Sequence, residues 1–329
     1  MITYILFLIF LLIIYIVLIF FYILYKKNII GFPFCYNITN INSPPYLNYN
    51  PGIIIYENNK YSNIIRTNNY ICKVAFRNEE FRFTNSKIYE GTFDINKYNL
   101  FDIKLKYDVY YNFNDPRFYY YEDPKFFVFD NKLYVSMTKI TKNNLFIPKN
   151  VVLEYDNENS IEYNFDYLNN IKGIYNREKN WQFFQNLNKY YLLYSIYPFI
   201  IYEIDKNFNV IQKVKEVNWE HKYQKILRCN APPIFINGIF YCIIHSYNNG
   251  FYNTYFMTFN ENFDILGYTL YPLFDNNKYR IIFSTGFIYN KLDNNFIILS
   301  GVDDKYMNLV KVNKRLLDIQ LNIINKFYI

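Results

Sequence analysis

Residues 121–138 read YEDPKFFVFDNKLYVSMT, and their pattern predicts a β-hairpin. An aromatic-rich strand leads into Asp130-Asn131, a dipeptide that suits a tight two-residue turn, and a second apolar strand follows. With two residues in the turn, the ladder places Asp123 opposite Thr138. Cross-strand partners project from the same face of a sheet. The hairpin is therefore expected to bring a carboxylate and a hydroxyl to one place.

The same unit, a polar head followed by an apolar strand, a turn and a second strand, occurs five times. The heads stand at Asn50, Glu122, Lys179, Ala231 and Ser284. The last four heads are 57, 52 and 53 residues apart, close to the length of a propeller blade, and the first interval of 72 residues suggests an insertion. The second strands return to Arg66, Thr138, Ser195 and His245. We therefore predict an all-β fold, a five-bladed β-propeller.

A propeller brings the start of each inner strand to one end of a central channel. Five polar heads that are far apart in the sequence are therefore expected to converge around one opening, as a binding site requires. The alternative is that each head only caps a strand of a generic propeller.

The heads also form an ordered series of motifs. The series comprises Asn50-Pro51, Glu122-Asp123-Pro124, Lys179-Asn180-Trp181, Ile244-His245, Ser284-Thr285-Gly286 and Val302-Asp303-Asp304. Over residues 48–315, its order and spacing resemble the five-bladed β-mannoside phosphorylases of glycoside hydrolase family 130 and the related β-mannosyltransferases.

The resemblance implies inversion by direct attack of phosphate, with the aspartate of the Glu-Asp-Pro motif acting as the acid through a sugar hydroxyl. The implied catalytic acid is Asp123. The residues themselves favour a single acid, because adjacent Glu122 and Asp123 point to opposite faces of a strand and cannot form a retaining pair.

Substrate contacts are expected from the heads and from the ends of the second strands. Asn180 and Trp181 offer amide hydrogen bonds and a stacking face for a pyranose ring. Lys125 stands where the family has Arg, and it makes a single-point contact in place of a planar bidentate one. The predicted set is Asn50, Arg66, Glu122, Lys125, Lys179, Asn180, Trp181, His245, Asp303 and Asp304, with the choice between the last two left open.

An apolar run over residues 3–25 is long enough to cross a hydrocarbon layer of about 30 Å as a helix. We predict a transmembrane anchor over residues 1–27, a stalk over 28–48 and the propeller over 49–329. Lys26-Lys27 after the span favours a cytosolic domain by the positive-inside rule. The glycosylation acceptor at Asn37 and the resemblance to glycan-modifying enzymes favour the lumen of the secretory pathway, which we adopt.

Composition narrows the partners further. The four cysteines show no metal-ligand spacing and are expected to be buried free thiols, with no cofactor. The net charge of +7 is spread along the chain without a dense basic run, so nucleic acid is not an expected partner. A sugar or glycan substrate, with inorganic phosphate or a sugar nucleotide, is compatible with this charge.

The sequence thus predicts a membrane-anchored inverting glycosyltransferase or glycoside phosphorylase that acts on β-mannoside-type glycans. The alternative is a catalytically inactive glycan-binding propeller that has kept the pocket and lost turnover.

Overall fold

The computed structural model describes most of the chain after residue 46. The described residues are 7, 10–19, 35–40, 47–79, 86–97, 99–107, 119–141, 149–156, 163–164, 180–219, 227–248, 251–269, 272–273, 281–303, 306–319 and 321. Lys179 and Asp304 lie outside them.

The described residues form mainly β-strands, with helical residues at 10–19 and a short helix over 314–319. The strands are β1 (Cys35–Asn40), β2 (Leu47–Glu57), β3 (Lys60–Ser62), β4 (Ile64–Ile65), β5 (Ile71–Glu79), β6 (Ser86–Asp94), β7 (Asn99–Tyr107), β8 (Tyr119–Phe129), β9 (Lys132–Thr141), β10 (Lys149–Glu154), β11 (Tyr163–Asn164), β12 (Gln182–Asn186), β13 (Lys189–Ser195), β14 (Phe199–Ile204), β15 (Val210–Val217), β16 (Leu227–Cys229), β17 (Ile234–Ile236), β18 (Ile239–Asn248), β19 (Phe251–Asn260), β20 (Ile265–Tyr268), β21 (Ile282–Asn290), β22 (Asn295–Val302) and β23 (Tyr306–Asn313).

These strands form five sheets, which confirms the predicted five-bladed, all-β propeller. Blade 1 contains β3, β2, β5, β6 and β7. Blade 2 contains β8 to β11, blade 3 contains β12 to β15, and blade 4 contains β16 to β20. Blade 5 contains β4, β21, β22, β23 and β1. We call the end of the ring at which the inner strands β2, β8, β12 and β21 begin the mouth, and the opposite end the base.

The blades are held together by five clusters of buried apolar side chains, each shared by two neighbouring blades. Ile54 of blade 1 and Phe126 of blade 2 belong to one cluster. Ile288 of blade 5 and Ile53 of blade 1 belong to another, which closes the ring. Burial of apolar surface between blades, about 25 cal/mol per Å², is thus continuous around the axis.

An N-terminal strand completes the last blade. Strand β1 pairs antiparallel with β23, with Cys35 opposite Val312 and Asn40 opposite Asn308. The predicted stalk over residues 28–48 therefore contains a propeller strand, Cys35–Asn40, which lies before the predicted boundary at residue 49. Local sequence patterns gave no sign of this pairing because the two strands are almost 270 residues apart.

The hairpin of blade 2 forms with the predicted turn but not with the full predicted register. Asp130 and Asn131 have φ angles of 48° and 64°, as a two-residue hairpin turn requires. The register shifts between Glu122 and Lys125, so Thr138 faces Glu122 and not Asp123. The cause is a β-bulge at 123–124, where proline supplies no N–H to the ladder.

The second strand of blade 1 is also different from the prediction. Residues Ile64–Ile65 leave the blade and pair in parallel with β21 of blade 5. The neighbour of β2 is β5, which begins at Ile71. The first interval of the repeat is thus longer because it contains an inserted segment, including Ile64–Ile65, that pairs with the adjacent blade.

Three cysteines, Cys72, Cys229 and Cys242, are buried free thiols, as predicted. The predicted membrane span is described only in part: residues 10–19 are helical with exposed side chains, while 3–6, 8–9 and 20–25 lie outside the described residues. Among the residues that are described, no helix has the length and apolar character needed to cross a membrane.

Candidate functional site

Three predicted site residues at the heads of the inner strands share an uncommon backbone conformation. The φ angles of Asn50, Asp123 and Asn180 are 52°, 54° and 72°, in the left-handed region that Asn and Asp enter more readily than other residues with a Cβ. At Asn50 and Asp123 the strand also bulges, and a bulge re-aims the side chain that it carries. The same local device therefore positions polar side chains in consecutive blades.

The side chains of Asn50 and Asp123 meet between blades 1 and 2. Nδ2 of Asn50 donates a hydrogen bond of 2.7 Å to Oδ1 of Asp123. Both residues are buried, with exposed fractions of 6% and 4%. A buried carboxylate is costly unless a donor satisfies it, and the Asn50 amide supplies that donor. The pair fixes one carboxylate oxygen, and no described group donates to the other oxygen, Oδ2.

Close backbone packing holds this pair in place. A Cβ at Gly301 of blade 5 would lie 2.2 Å from Oδ1 of Asn50 and 2.7 Å from its backbone nitrogen. A Cβ at Gly52 would lie 2.5 Å from the carbonyl oxygen of Pro124 in blade 2. Blades 1, 2 and 5 therefore meet at Asn50 at distances that only glycine allows.

Glu122 and Lys125 flank Asp123 but make different contacts. Oε1 of Glu122 lies 3.0 Å from Nη1 of Arg77, whose guanidinium also lies 5.9 Å from the ring centre of Tyr120. Lys125 is 3% exposed, and its Nζ donates to the backbone carbonyl of Asp123 at 3.3 Å. One cationic group thus pairs with the residue before Asp123, and another contacts the backbone of Asp123 itself.

Arg77 is a site residue that the sequence prediction missed. It lies on β5 opposite Tyr49, one residue before Asn50, and is 8% exposed. This is the place that the prediction gave to Arg66. The run ICKVAFR over residues 71–77 is a longer strand signal than Ile64-Ile65, and comparing the two runs would have favoured Arg77.

Arg66 itself is not near the other candidates. It is exposed, its Nη1 donates to Oγ of Ser62 at 2.9 Å, and its backbone N–H faces the carboxylate of Glu57. Glu57 is the last residue of β2, at the base, whereas Asn50 lies near the start of that strand, at the mouth. The predicted placement of Arg66 beside the heads is therefore wrong.

His245 lies in blade 4 within a polar and aromatic pocket. Its Nδ1 donates to Oδ1 of Asn230 at 2.5 Å, and it packs against Tyr252 and Phe283 with ring centres 5.5 and 5.1 Å away. The residue is 3% exposed. Asn230 precedes the predicted head at Ala231 and interrupts the inner edge of blade 4 between β16 and β17, which makes it the polar head of that blade.

Asn180 and Trp181 have separate environments. Asn180 is 3% exposed, and its Oδ1 has no hydrogen-bond partner among the described residues. Trp181 is equally buried, belongs to the apolar cluster between blades 2 and 3, and lies 5.5 Å from Tyr194 between ring centres. The predicted stacking face for a sugar is thus packed against protein, because the bulky ring completes the core between the blades.

Asp303 lies at the mouth end of β22, in a left-handed turn with φ of 50°. Its Oδ1 accepts a hydrogen bond of 3.0 Å from the backbone N–H of Ile281, and its own N–H donates to the Ile281 carbonyl at 2.9 Å. This arrangement fixes the start of β21. Asp304, the other member of the predicted pair, and Lys179 stay predictions.

Most buried polar atoms that lack a hydrogen-bond partner within the described protein lie in the inner-strand heads or in the mouth halves of their neighbouring strands. They are Asn50 Oδ1, Thr138 Oγ1, Asn180 Oδ1, Gln182 Oε1, Ser195 Oγ, Asn230 Nδ2, Ser246 Oγ and Asn308 Oδ1. Each such group costs about 1–3 kcal/mol unless something satisfies it. Ordered water or a bound polar ligand would satisfy them.

Comparison with solved structures shows the same fold in glycoside-active proteins. A β-1,2-mannobiose phosphorylase from Listeria innocua aligns with a TM-score of 0.59 at 14% identity, over 88% of this chain and 99% of that one. A structure described for GH130 glycoside hydrolases that target β-1,2-mannosidic linkages in Candida mannan aligns at 0.56 and 13%, over 82% and 85%. A mannose phosphorylase from Leishmania mexicana, solved with phosphate, aligns at 0.53 and 10%, over 86% and 90%.

No protein-family model matches the sequence, and no curated protein matches it significantly. The structural neighbours include β-mannoside phosphorylases, in agreement with the resemblance drawn from the motif series, and also an α-L-arabinofuranosidase from Lactobacillus brevis. At 10–14% identity the likeness establishes the fold, and one fold hosts many activities.

Proposed function

We propose that this propeller is an inverting carbohydrate-active enzyme, a glycosyltransferase or glycoside phosphorylase for β-mannoside-type glycans, with its site at the mouth and Asp123 as the acid. The observation that carries the proposal is the hydrogen bond from Asn50 to Asp123. It holds a buried carboxylate in one orientation at the point where three blades meet.

The chemistry follows from the two oxygens of Asp123. Asn50 Nδ2 anchors Oδ1, which leaves Oδ2 to exchange a proton with a sugar hydroxyl. In phosphorolysis, protonated Asp123 gives its proton to this hydroxyl, and the hydroxyl's own proton passes to the departing glycosidic oxygen while phosphate attacks the opposite face of the anomeric carbon. In the synthetic direction, the Asp123 carboxylate takes up, through the same hydroxyl, the proton that the attacking acceptor hydroxyl loses, while phosphate or the nucleotide diphosphate leaves the anomeric carbon. A retaining mechanism needs a second free carboxylate about 5–5.5 Å away, and Glu122 is engaged by Arg77.

Arg77 and Lys125 supply positive charge for a phosphate group. Arg77 is ion-paired with Glu122, and Lys125 donates to the backbone carbonyl of Asp123, so both are fixed against the strand segment that carries the proposed acid. A planar guanidinium can grip phosphate through two parallel hydrogen bonds, which a lysine cannot do. We assign this role to Arg77 in place of Arg66.

We further propose that residues 3–25 anchor the protein in a membrane, with the propeller on the lumenal side. Residues 10–19 are helical and expose apolar side chains, among them Phe10 at 59% and Leu18 at 61%. An anchor is common in enzymes that build glycans, so the transferase is preferred to the phosphorylase. Retention in the membrane pellet after a carbonate wash tests the anchor, and loss of a glycosidase-sensitive mobility shift in Asn37→Gln tests the orientation.

A glycan-binding propeller without turnover is the second candidate. It is favoured by Lys125, which replaces the arginine of the related enzymes. The buried polar atoms at the mouth would serve binding as well as catalysis.

A donor screen separates the two candidates. Purified full-length protein is incubated with GDP-mannose or with mannose-1-phosphate and a panel of sugar acceptors, and product is measured by mass spectrometry. Product from GDP-mannose supports the transferase, and product with release of phosphate from mannose-1-phosphate supports the phosphorylase. Mannoside binding without product from either donor supports the binding module.

A further inference from the structure

The path of β1 fixes the side from which the N-terminal segment reaches the propeller. Strand β23 begins at the mouth, where Asn308 faces Ser300, and ends at the base. Because β1 is antiparallel to β23, it enters at the base with Cys35 and ends toward the mouth with Asn40. Ten residues join the end of the apolar run at residue 25 to Cys35 and can span at most about 35 Å.

A leucine protrudes from the base in a conformation that disfavours it. Leu187, in the β12–β13 turn, has a φ of 53° and is 83% exposed. The equivalent hairpin turns at the inner strands of the other four blades place Asn, Asp or Gly in left-handed positions, as at Asn59 and Gly238. A residue with a side chain like that of Leu loses roughly 1–2 kcal/mol of conformational free energy when its backbone adopts the left-handed conformation. Its exposed position at the tip is therefore not explained by turn geometry.

Other exposed apolar side chains share this end of the ring. They include Leu292 in the β21–β22 turn, Ile71 and Ile211 at the starts of β5 and β15, and Ile319 on the helix that follows β23, with exposed fractions of 48%, 47%, 59% and 45%. Charges around them pair with one another: Lys189 Nζ lies 2.9 Å from Glu203, and Lys132 Nζ lies 3.1 Å from Glu154. The base therefore combines apolar tips with largely compensated charge.

We propose that the base of the propeller rests on the lipid bilayer that holds residues 3–25, so that the mouth opens away from the membrane. Apolar tips with compensated charge suit the bilayer interface and give contact that does not depend on anionic lipid. The inner strands β2, β8 and β21 are 11, 11 and 9 residues long, which at about 3.3 Å per residue lifts the mouth about 30–36 Å above the lipid surface. This inference rests on the proposed anchor and is independent of the catalytic proposal.

The test places a fluorophore at each end of the full-length protein in phosphatidylcholine vesicles. Cysteine is introduced singly at Leu187 and Leu292 in the base, or at Tyr247 and Tyr306, which are 42% and 55% exposed near the mouth. The background is Cys35→Ser, because the other three native cysteines are buried. Headgroup-spin-labelled lipid is then added as the quencher, and vesicle flotation is measured on the same samples.

The expected result is loss of fluorescence at L187C and L292C, with unchanged fluorescence at Y247C and Y306C. The pattern should be the same when anionic lipid is included. Flotation with equal quenching at both ends, or with stronger quenching at the mouth, overturns the orientation while leaving the anchor intact. Failure to float overturns the anchor and the orientation together, and neither result bears on turnover.

Discussion

Nδ2 of Asn50 donates a 2.7 Å hydrogen bond to Oδ1 of Asp123, which is 73 residues away in the sequence and in the next blade. Both residues are buried and both have left-handed backbone conformations. This hydrogen bond both connects blades 1 and 2 and orients the proposed catalytic acid. We therefore choose it as the first target for mutation.

Asn50→Gly should lower the free energy of unfolding by about 1.5–3 kcal/mol, because it removes a hydrogen bond to a buried carboxylate while keeping the left-handed backbone accessible. Denaturant unfolding measures the change. The matched control is Asn180→Gly, at a similarly buried asparagine with φ of 72° whose Oδ1 has no partner. An equal loss in both variants would mean that the Asn50–Asp123 contact adds nothing specific.

Gly301→Ala should damage the site as well as the fold. The new Cβ would overlap both Oδ1 and the backbone nitrogen of Asn50, and such overpacking typically costs 1–3 kcal/mol. We expect reduced turnover or mannoside affinity in the folded variant. Gly238→Ala is the control: its φ of +83° strains the turn, but a Cβ there meets no atom within 4 Å, so stability should fall with ligand binding unchanged.

Exchange of arginine for lysine distinguishes Arg77 from Arg66. Arg77→Lys keeps the charge but loses planar bidentate contacts, so affinity for phosphate or a sugar nucleotide should fall by roughly tenfold or more, about 1.4 kcal/mol per decade. Arg66→Lys, at the exposed base, should leave that affinity unchanged. Isothermal titration calorimetry measures the affinity of both variants. A larger loss of affinity in Arg66→Lys than in Arg77→Lys would assign the phosphate contact to Arg66 instead.

The contribution of the interface between blades 1 and 2 to stability should depend on pH, because it includes the ionised carboxylate of Glu90. Burial opposes ionisation of this group, but hydrogen bonds from Lys104 and Tyr155 and the nearby charge of Lys106 outweigh it and hold the pKa below its usual 4.5. A lowered folded-state pKa gives stability that is present above 4.5 and is lost as the pH falls through the folded pKa.

The stability difference between the wild type and Glu90→Gln should therefore shrink as the pH is lowered below 4.5. Urea unfolding over a pH series measures it. Glu216→Gln, at an exposed pair with Lys213, provides a control with little expected effect at any pH. A gap for Glu90→Gln that stays constant with pH would contradict the ion-pair account.

Much of the fold was predictable because its hairpins carry local signals. Turns at Asp130-Asn131 and Asn237-Gly238 bring adjacent strands together, and their regular spacing predicts blades. The closing strand β1 and the excursion of β4 to blade 5 were not predictable, since both pairings join strands that are far apart in the sequence.

The candidate site was predictable in outline and wrong in register. Asp123, Asn180 and His245 were identified as buried mouth residues of three blades. The bulge at 123–124 moved Thr138 opposite Glu122, because a left-handed Asp before Pro cannot be recognised from strand alternation alone. Trp181 was assigned to the sugar because burial between blades is not visible in the motif itself.

The most direct test of the account is the turnover of Asp123→Asn on whichever mannosyl donor the wild type uses. A positioned general acid contributes typically 10²–10⁴-fold, so kcat should fall by about that factor, while mannoside affinity and thermal stability change little because the amide keeps the size of the carboxylate. Asp130→Asn, at the base end of the same strand, should retain full activity. Unimpaired turnover in Asp123→Asn, with an active wild type, would place the acid elsewhere and contradict the account.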